Sequence, residues 1–302
     1  MDSTPTISFC MIVRNGAATL ASCLESVAAL CDEMIVVDTG SSDASEDIAR
    51  SFGARVIQVR WMHDFAAARN MYLAEAQCSW ILSIDADEFL GPLDGLELRA
   101  RLAQIPLTAF LFNIRSYFLK NEFSGPLLPS RLSGEVLPGV ECMISRTVRL
   151  FPRVHQVRYC YPIHESIIPS LRKHRIPIRS CSIPIHHLGY LAGTEQRKAK
   201  GLRYRELGLK KITQYPGCFL GYLELGNVYL HEKRFQDAER MFQESIHLRP
   251  TCSDAHLLLA LALLQQGKYS ECRTRIEATL RRFPHNVDAI HLMCTLAQLE
   301  AR

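Results

Sequence analysis

Residues 80–90 read Trp80-Ile81-Leu82-Ser83-Ile84-Asp85-Ala86-Asp87-Glu88-Phe89-Leu90. The opening five residues predict a short buried strand, which breaks directly into an acidic turn. Asp85 and Asp87 are one residue apart, and two close carboxylates repel each other. The pair makes sense if a divalent cation sits between them and the phosphates of a ligand, because Mg²⁺ and Mn²⁺ favour few protein oxygens plus substrate phosphate oxygens. A bare pair at this spacing also reads as a solvated acidic turn; its place straight after an apolar strand favours the metal.

Upstream, strand and helix signals alternate. Ile7 to Val13 is a short apolar run, followed by Leu20, Leu24, Val27 and Leu30 at helical spacing. Met34 to Val37 reads as a second buried strand and breaks at Asp38-Thr39-Gly40-Ser41-Ser42. Asp43 with Glu46 predicts a capping box on a helix that ends at Gly53. Arg55 to Val59 is a third strand, and Asp64 is placed to cap a helix through Ala66 to Ala76. Such alternation predicts a mainly parallel sheet with helices on both faces, whose ligands lie beyond the carboxyl ends of the strands. Asp38, Asp85 and Asp87 all stand at such ends. A carboxylate at Asp38 can accept from base or ribose donors, although Gly40 and Ser41 are also natural company for an ordinary turn aspartate.

Downstream, Thr108 to Leu119 and Arg146 to Phe151 read as strands, with Pro152, Pro162, Pro177 and Pro184 punctuating the rest into loops. Thr194 to Tyr215 is a basic helix that stops before Pro216, and most of its Lys and Arg residues read as a solvated face. The tail repeats. Tyr222, Leu225, Gly226, Tyr229, Ala238, Phe242 and Pro250 fit a tetratricopeptide pattern, and 34 residues on stand His256, Leu259, Ala260, Leu263, Cys272, Ile276 and Pro284. Ile290, Met293, Cys294 and Ala297 begin a third unit of one helix, which is expected to cap the stack.

Bulk composition excludes several classes. With 48% hydrophobic and 22% charged residues the chain is expected to be globular, and a net charge of +4 spread over most of the length demands no nucleic-acid partner. No window approaches the ~20 apolar residues of a transmembrane segment, and the N-terminus carries no signal-peptide pattern, so a cytoplasmic protein is expected. The 11 cysteines contain no CxxC pair and read as reduced, mostly buried thiols. No GxxxxGK[ST] loop supports a P-loop phosphohydrolase.

Four stretches, in order, resemble the donor-binding half of glycosyltransferase family 2: SFCMIVRNGAATLASCLESV, DEMIVVDTGSSDASEDIARSFGARV, WMHDFAAARNMYLAEA and WILSIDADEFL, all within Ile7 to Leu90. The branch most resembled carries C-terminal tetratricopeptide repeats and includes peptide glycosyltransferases that modify bacteriocin precursors, some on cysteine. The resemblance implies a GT-A fold, Rossmann-like, with a mixed, mainly parallel sheet flanked by helices. It implies that Val13, Asn15 and Asp38 line the uracil and ribose pocket, that Arg69 holds the donor near its diphosphate, that Asp85 faces the ribose or donor sugar, and that Asp87 binds Mn²⁺ or Mg²⁺ with Asp85 beside it. Family members often carry an acidic residue after the Lys/Arg-Asn pair; here Gly16 follows Arg14-Asn15, a departure that bears on any donor contact from that position and not on the fold.

Beyond residue 90 the resemblance thins to VRLFPRV at Val148 to Val154 and YPIHESI at Tyr161 to Ile167. It places Glu165 as the base that an inverting transfer needs, with His164 as neighbour or alternate base. His187, in His186-His187-Leu188-Gly189-Tyr190, is similar to a late histidine that adds a metal or phosphate contact, against the plainer reading of structural histidines. Arg149 and Lys198 are candidates to neutralise the leaving diphosphate. The expected organisation is a transferase domain over 1–193, a connecting helix over 194–218 and repeats over 219–252 and 253–286 with a capping helix over 287–302. The expected activity is metal-dependent transfer of a hexosyl or N-acetylhexosaminyl group from a nucleotide-sugar donor, UDP-linked, to a peptide or protein acceptor. The alternatives are a saccharide or lipid-linked acceptor of cell-surface polysaccharide synthesis, and a non-catalytic adaptor with a degenerate transferase domain. A homodimer through the repeats is compatible with the tail.

Overall fold

The computed structural model describes residues 5–91, 94–102, 107–119, 132–137, 140–189 and 195–301. The chain divides into two compact units that part after Gly193. The first begins with β1 (Ile7–Val13), α1 (Ala17–Ala28), β2 (Glu33–Asp38), α2 (Ser45–Ser51), β3 (Arg55–Gln58), α3 (Phe65–Glu75) and β4 (Trp80–Ser83). It continues with β5 (Glu88–Phe89), α4 (Asp94–Leu102), β6 (Ala109–Leu119), β7 (Leu132–Leu137), β8 (Val140–Pro152), α5 (Ile168–Lys173) and β9 (Ile178–His187).

The described strands form one nine-stranded mixed sheet in the order β3-β2-β1-β4-β8-β6-β9-β5, with β7 on β8. β1 runs parallel to β2 and β4, and β2 parallel to β3. Alternation along β1 explains why both faces need cover: Ile7, Phe9, Met11 and Val13 pack with Leu20, Leu24 and Val27 of α1, while Cys10 faces the opposite core with Tyr72 of α3 and Ile35 and Val37 of β2. β1, β2 and β3 end level at Val13, Asp38 and Gln58, while β4 ends at Ser83, opposite Cys10. β8 meets β4 antiparallel with Leu82 opposite Leu150, which brings Arg149 beside the end of β4.

Three local expectations are corrected. Asp43 and Glu46 form no capping box: α2 has Ala44 at its N-cap without a side-chain bond. Asp43 instead accepts from Ser45 and from the Ala17 amide, and Glu46 pairs with Arg50 and Gln58. The stretch read as proline-punctuated loop contains β9, and β8 is longer than Arg146 to Phe151. Pro184 is tolerated because the β6–β9 register shifts between Leu111 and Asn113, the residue opposite Pro184, so the missing amide falls at an irregularity. The acidic turn also continues into a two-residue strand, β5, paired with His186 and His187.

The second unit holds α6 (Glu195–Gln214), α7 (Phe219–His231), α8 (Phe235–Leu248), α9 (Ser253–Gln265), α10 (Tyr269–Arg282) and α11 (Val287–Glu300). Helices α7 to α11 form a tetratricopeptide stack. Gly226 is required by closeness: a Cβ there would lie 2.5 Å from Cε1 of the buried Phe242 ring. Ala260 and Ile276, 34 residues on, are fully buried likewise. Lys211 departs from the solvated face expected of α6, because it is 1% exposed and donates to Glu224 at 2.7 Å.

Candidate active site

The loops after β1 and β2 are stapled by their own side chains. Asp38 is buried, and its Oδ1 accepts from the Gly40 and Ser41 amides at 2.8 and 2.7 Å. Its Oδ2 has no partner among the described residues. Asn15 takes a left-handed backbone, φ 53°, and its Oδ1 accepts from the Ser42 amide at 2.7 Å. The Val13 carbonyl accepts from the Thr39 amide and hydroxyl. These bonds shape a pocket wall, with the Asn15 amide oxygen occupied in building it. Gly16 packs under this wall, where a Cβ would stand 2.8 Å from Val13 Cγ2 and 3.2 Å from Ala86 Cβ.

At the end of β4, two buried arginines organise the carboxylates. Arg69 on α3 is 4% exposed. It donates from Nη2 to Asp85 at 2.6 Å, from Nε to Glu165 at 2.5 Å and from Nη1 to the Ser83 hydroxyl at 3.1 Å. Its guanidinium also lies 5.5 Å from the Tyr159 ring centroid. Arg149 donates from Nη2 to Asp85 Oδ2 at 2.8 Å and to Glu88 at 2.5 Å. Glu88 in turn accepts from the Asp85 amide at 3.0 Å. Burial works against the Asp85 charge, but Arg149 and Arg69 outweigh it and hold that carboxyl well below the usual range. Burial, only partly offset by Arg149, pushes Glu88 up to about 6.

Both oxygens of Asp85 are thus held by arginines. Asp87 is different. Its Oδ2 lies 3.2 Å from His187 Nε2, and His187 Nδ1 meets the Ser116 hydroxyl at 3.0 Å. Burial disfavours the imidazolium, yet the Asp87 carboxylate outweighs burial and raises the His187 pKa above its ordinary value. Above this pair stands Gly189, where a Cβ would come within 2.2 Å of Asp87 Oδ2 and 2.6 Å of His187 Nε2. The backbone of Gly189 thus packs directly against Asp87 and His187, which a larger residue there would push apart. Among the described residues no three His, Cys, Asp or Glu side chains gather as a metal cage. The donor set, one carboxylate oxygen and one imidazole nitrogen, fits the chemistry of a cation that completes its shell with phosphate oxygens and water.

Glu165 sits on a short loop closed by an antiparallel bridge, with Cys160 and Ser166 exchanging amide bonds at 3.0 Å. His164 is exposed and takes a left-handed backbone, φ 48°. Lys198 falls on α6, and its side chain lies outside the described residues. The structure therefore brings Arg69, Asp85, Arg149 and Glu165 into one cluster and Asp87 with His187 into another beside it. The sequence reading missed Ser83, Tyr72, Glu88, Asn70 and Gly189. For Glu88 a signal existed, since it directly follows the acidic pair; the others are unremarkable residues until the fold places them.

A family model for glycosyl transferase family 2 matches residues 8–157, and a tetratricopeptide repeat model matches residues 229–297. A tetratricopeptide-repeat-containing protein of Synechococcus elongatus is 32% identical over 295 residues, which cover 94% of this chain and 68% of that protein. The SPbeta prophage-derived glycosyltransferase SunS of Bacillus subtilis is 25% identical over 301 residues, covering 94% of this chain and 65% of that one. The chain therefore spans about two thirds of the length of these two relatives. The crystal structure of residues 1–349 of S. aureus TarS in complex with UDP-GlcNAc is 11% identical with a TM-score of 0.49, covering 91% of this chain and 89% of that one. The chain belongs to glycosyl transferase family 2 and joins a transferase of GT-A type to a tetratricopeptide stack. Among its described residues no helix is long and apolar enough to cross a membrane.

Proposed function

We propose that this chain is an inverting, metal-dependent glycosyltransferase that moves a hexosyl or N-acetylhexosaminyl group from a UDP-linked donor to a side chain of a peptide or protein. The observation that carries the reading is the row of side chains at the carboxyl ends of the sheet: Asp38 after β2, Asp87 with His187 against Gly189, and Glu165 tied through Arg69 to Asp85. On this reading residues 1–193 are the transferase, 194–218 a connecting helix and 219–302 the repeats.

Asp38 Oδ2 accepts from the uracil or ribose, and the Val13–Asn15 wall sets the edge of the nucleotide pocket. Asp87 and His187 would hold Mn²⁺ or Mg²⁺. Such a cation, when bound, supplies positive charge to the diphosphate and so stabilises its departure. Arg149 lies close enough to add a fixed cation at the same end of β4. Glu165 takes the acceptor's proton as the acceptor forms its bond to the anomeric carbon. The bond from that carbon to the phosphate oxygen breaks, its electron pair leaves with UDP, and the configuration inverts. A peptide acceptor is favoured by the repeat stack, since tetratricopeptide stacks form concave surfaces that commonly hold peptides.

The test is UDP release and donor binding with UDP-glucose or UDP-N-acetylglucosamine and Mn²⁺. Free sugar and UDP are the expected products in the absence of an acceptor; released pyrophosphate would contradict a glycosyl transfer. Asp87→Ala should lose donor binding and turnover together. Glu165→Gln should keep donor affinity and lose about 10²-fold in turnover. Near-normal turnover of that variant would remove Glu165 from the role.

A further inference from the structure

We infer that Asn70 is a positioning residue for Glu165: its side-chain amide clamps the backbone at the root of the loop that presents the carboxylate. The inference rests on the role of Glu165 as base given above.

The loop is strained. Tyr161 and His164 take left-handed backbones with φ 78° and 48°, although neither is glycine. Each such residue costs on the order of 1–3 kcal/mol and persists only when its surroundings over-determine it. The cross-bridge between Cys160 and Ser166 closes the loop but does not aim it. Aim comes from α3. Asn70 Nδ2 donates to the Tyr159 carbonyl at 3.0 Å, and the Tyr159 amide donates to Asn70 Oδ1 at 2.8 Å. One side chain thus satisfies both backbone groups of a buried residue, in the manner of a strand partner. At the start of the same helix the Phe65 amide donates to the Pro162 carbonyl at 2.9 Å. Arg69, next to Asn70, then meets Glu165 itself.

Three residues of one helix therefore hold the loop at three points: Tyr159, Pro162 and Glu165. The Arg69 contact alone leaves the carboxylate free to swing with its backbone. The Asn70 clamp fixes where that backbone enters the loop. Among the described residues the Asn70 side chain bonds to Tyr159 alone, so its removal should reach the base and spare the donor side.

Asn70→Asp is the probe, because it keeps an acceptor for the Tyr159 amide while setting a carboxylate oxygen against the Tyr159 carbonyl. Asn70→Ala, which removes both bonds without adding charge, is the second variant should the first fail to fold. With UDP-glucose or UDP-N-acetylglucosamine and Mn²⁺, turnover should fall about 10- to 10²-fold, the scale of a misplaced catalytic group. Donor affinity by calorimetry should stay within about twofold. In the Glu165→Gln background either change should lower turnover by less than about twofold more, since the group it positions is already gone. A merely structural residue would instead multiply its loss onto Glu165→Gln, or lower donor affinity and turnover together; either result overturns the inference. Full turnover of the Asn70 variants beside a defective Glu165→Gln overturns it alone. Full turnover of Glu165→Gln overturns both this inference and the assignment of the base.

Discussion

Gly189→Ala is the sharpest perturbation the site offers, because it adds one methyl group at a known place. The glycine backbone there is not left-handed, so alanine brings no conformational penalty of that kind. The cost lies in space. The added Cβ would start 2.2 Å from Asp87 Oδ2 and 2.6 Å from His187 Nε2. Ordinary carbon–oxygen contact begins at about 3.2 Å, so the carboxylate oxygen must retreat by about 1 Å, or the chain at Gly189 must lift by as much. Either movement disturbs the pairing of Asp87 with His187. A shift of about 1 Å in a positioning group costs about 10²-fold, and disturbing the support of a metal ligand costs about 10- to 10²-fold in affinity. The expectation is a 10- to 10²-fold loss of Mn²⁺-dependent UDP-sugar affinity in calorimetry, roughly the lower part of what Asp87→Ala should show. Metal-independent UDP binding at Asp38 should survive. An unchanged Mn²⁺-dependent donor affinity in folded Gly189→Ala would refute the assignment of Asp87 and His187 to the cation.

Arg149→Met should lower unfolding free energy by about 3 kcal/mol or more in urea titration at neutral pH, since it leaves Asp85 and the buried Glu88 without a shared cation; a loss below about 1 kcal/mol would mean the pair is solvated in solution. The His187 pKa is raised by its pairing with Asp87, so the pair's contribution to stability is fully present below 6.5 and is lost as pH rises through the folded value. A bound cation must displace that proton, so Mn²⁺ affinity should weaken as pH falls through the same value, with about one proton released per cation, and His187→Gln should flatten the profile. A pH-independent Mn²⁺ affinity in the unaltered chain would separate His187 from the cation.

Why the sequence disclosed some of this and concealed the rest follows from the range of the interactions. The parallel half of the sheet was legible because its strands are short apolar runs bounded by turn residues, and burial on both faces leaves no other use for Ile7 to Val13 or Met34 to Val37. The repeat was legible because Phe242 must lie on Gly226, and the same spacing recurs 34 residues later. β9 was hidden by Pro184, which reads as a breaker until its partner strand is known to shift register opposite it. The capping box failed for a related reason: Asp43 is drawn to the Ala17 amide of another loop, a competitor that local sequence does not reveal.

The acidic turn shows the same limit where it matters most. Asp85 and Asp87 are chemically identical and one residue apart, and spacing alone gives both to a cation. Two arginines, one from 16 residues upstream and one from 64 residues downstream, take both oxygens of Asp85 and favour its ionised form. A histidine 100 residues downstream turns to Asp87 instead, and Gly189 packs against both. The division of labour between two neighbouring carboxylates is thus set by partners distant in the chain. Exchanging their surroundings, rather than the carboxylates, is what would exchange their roles.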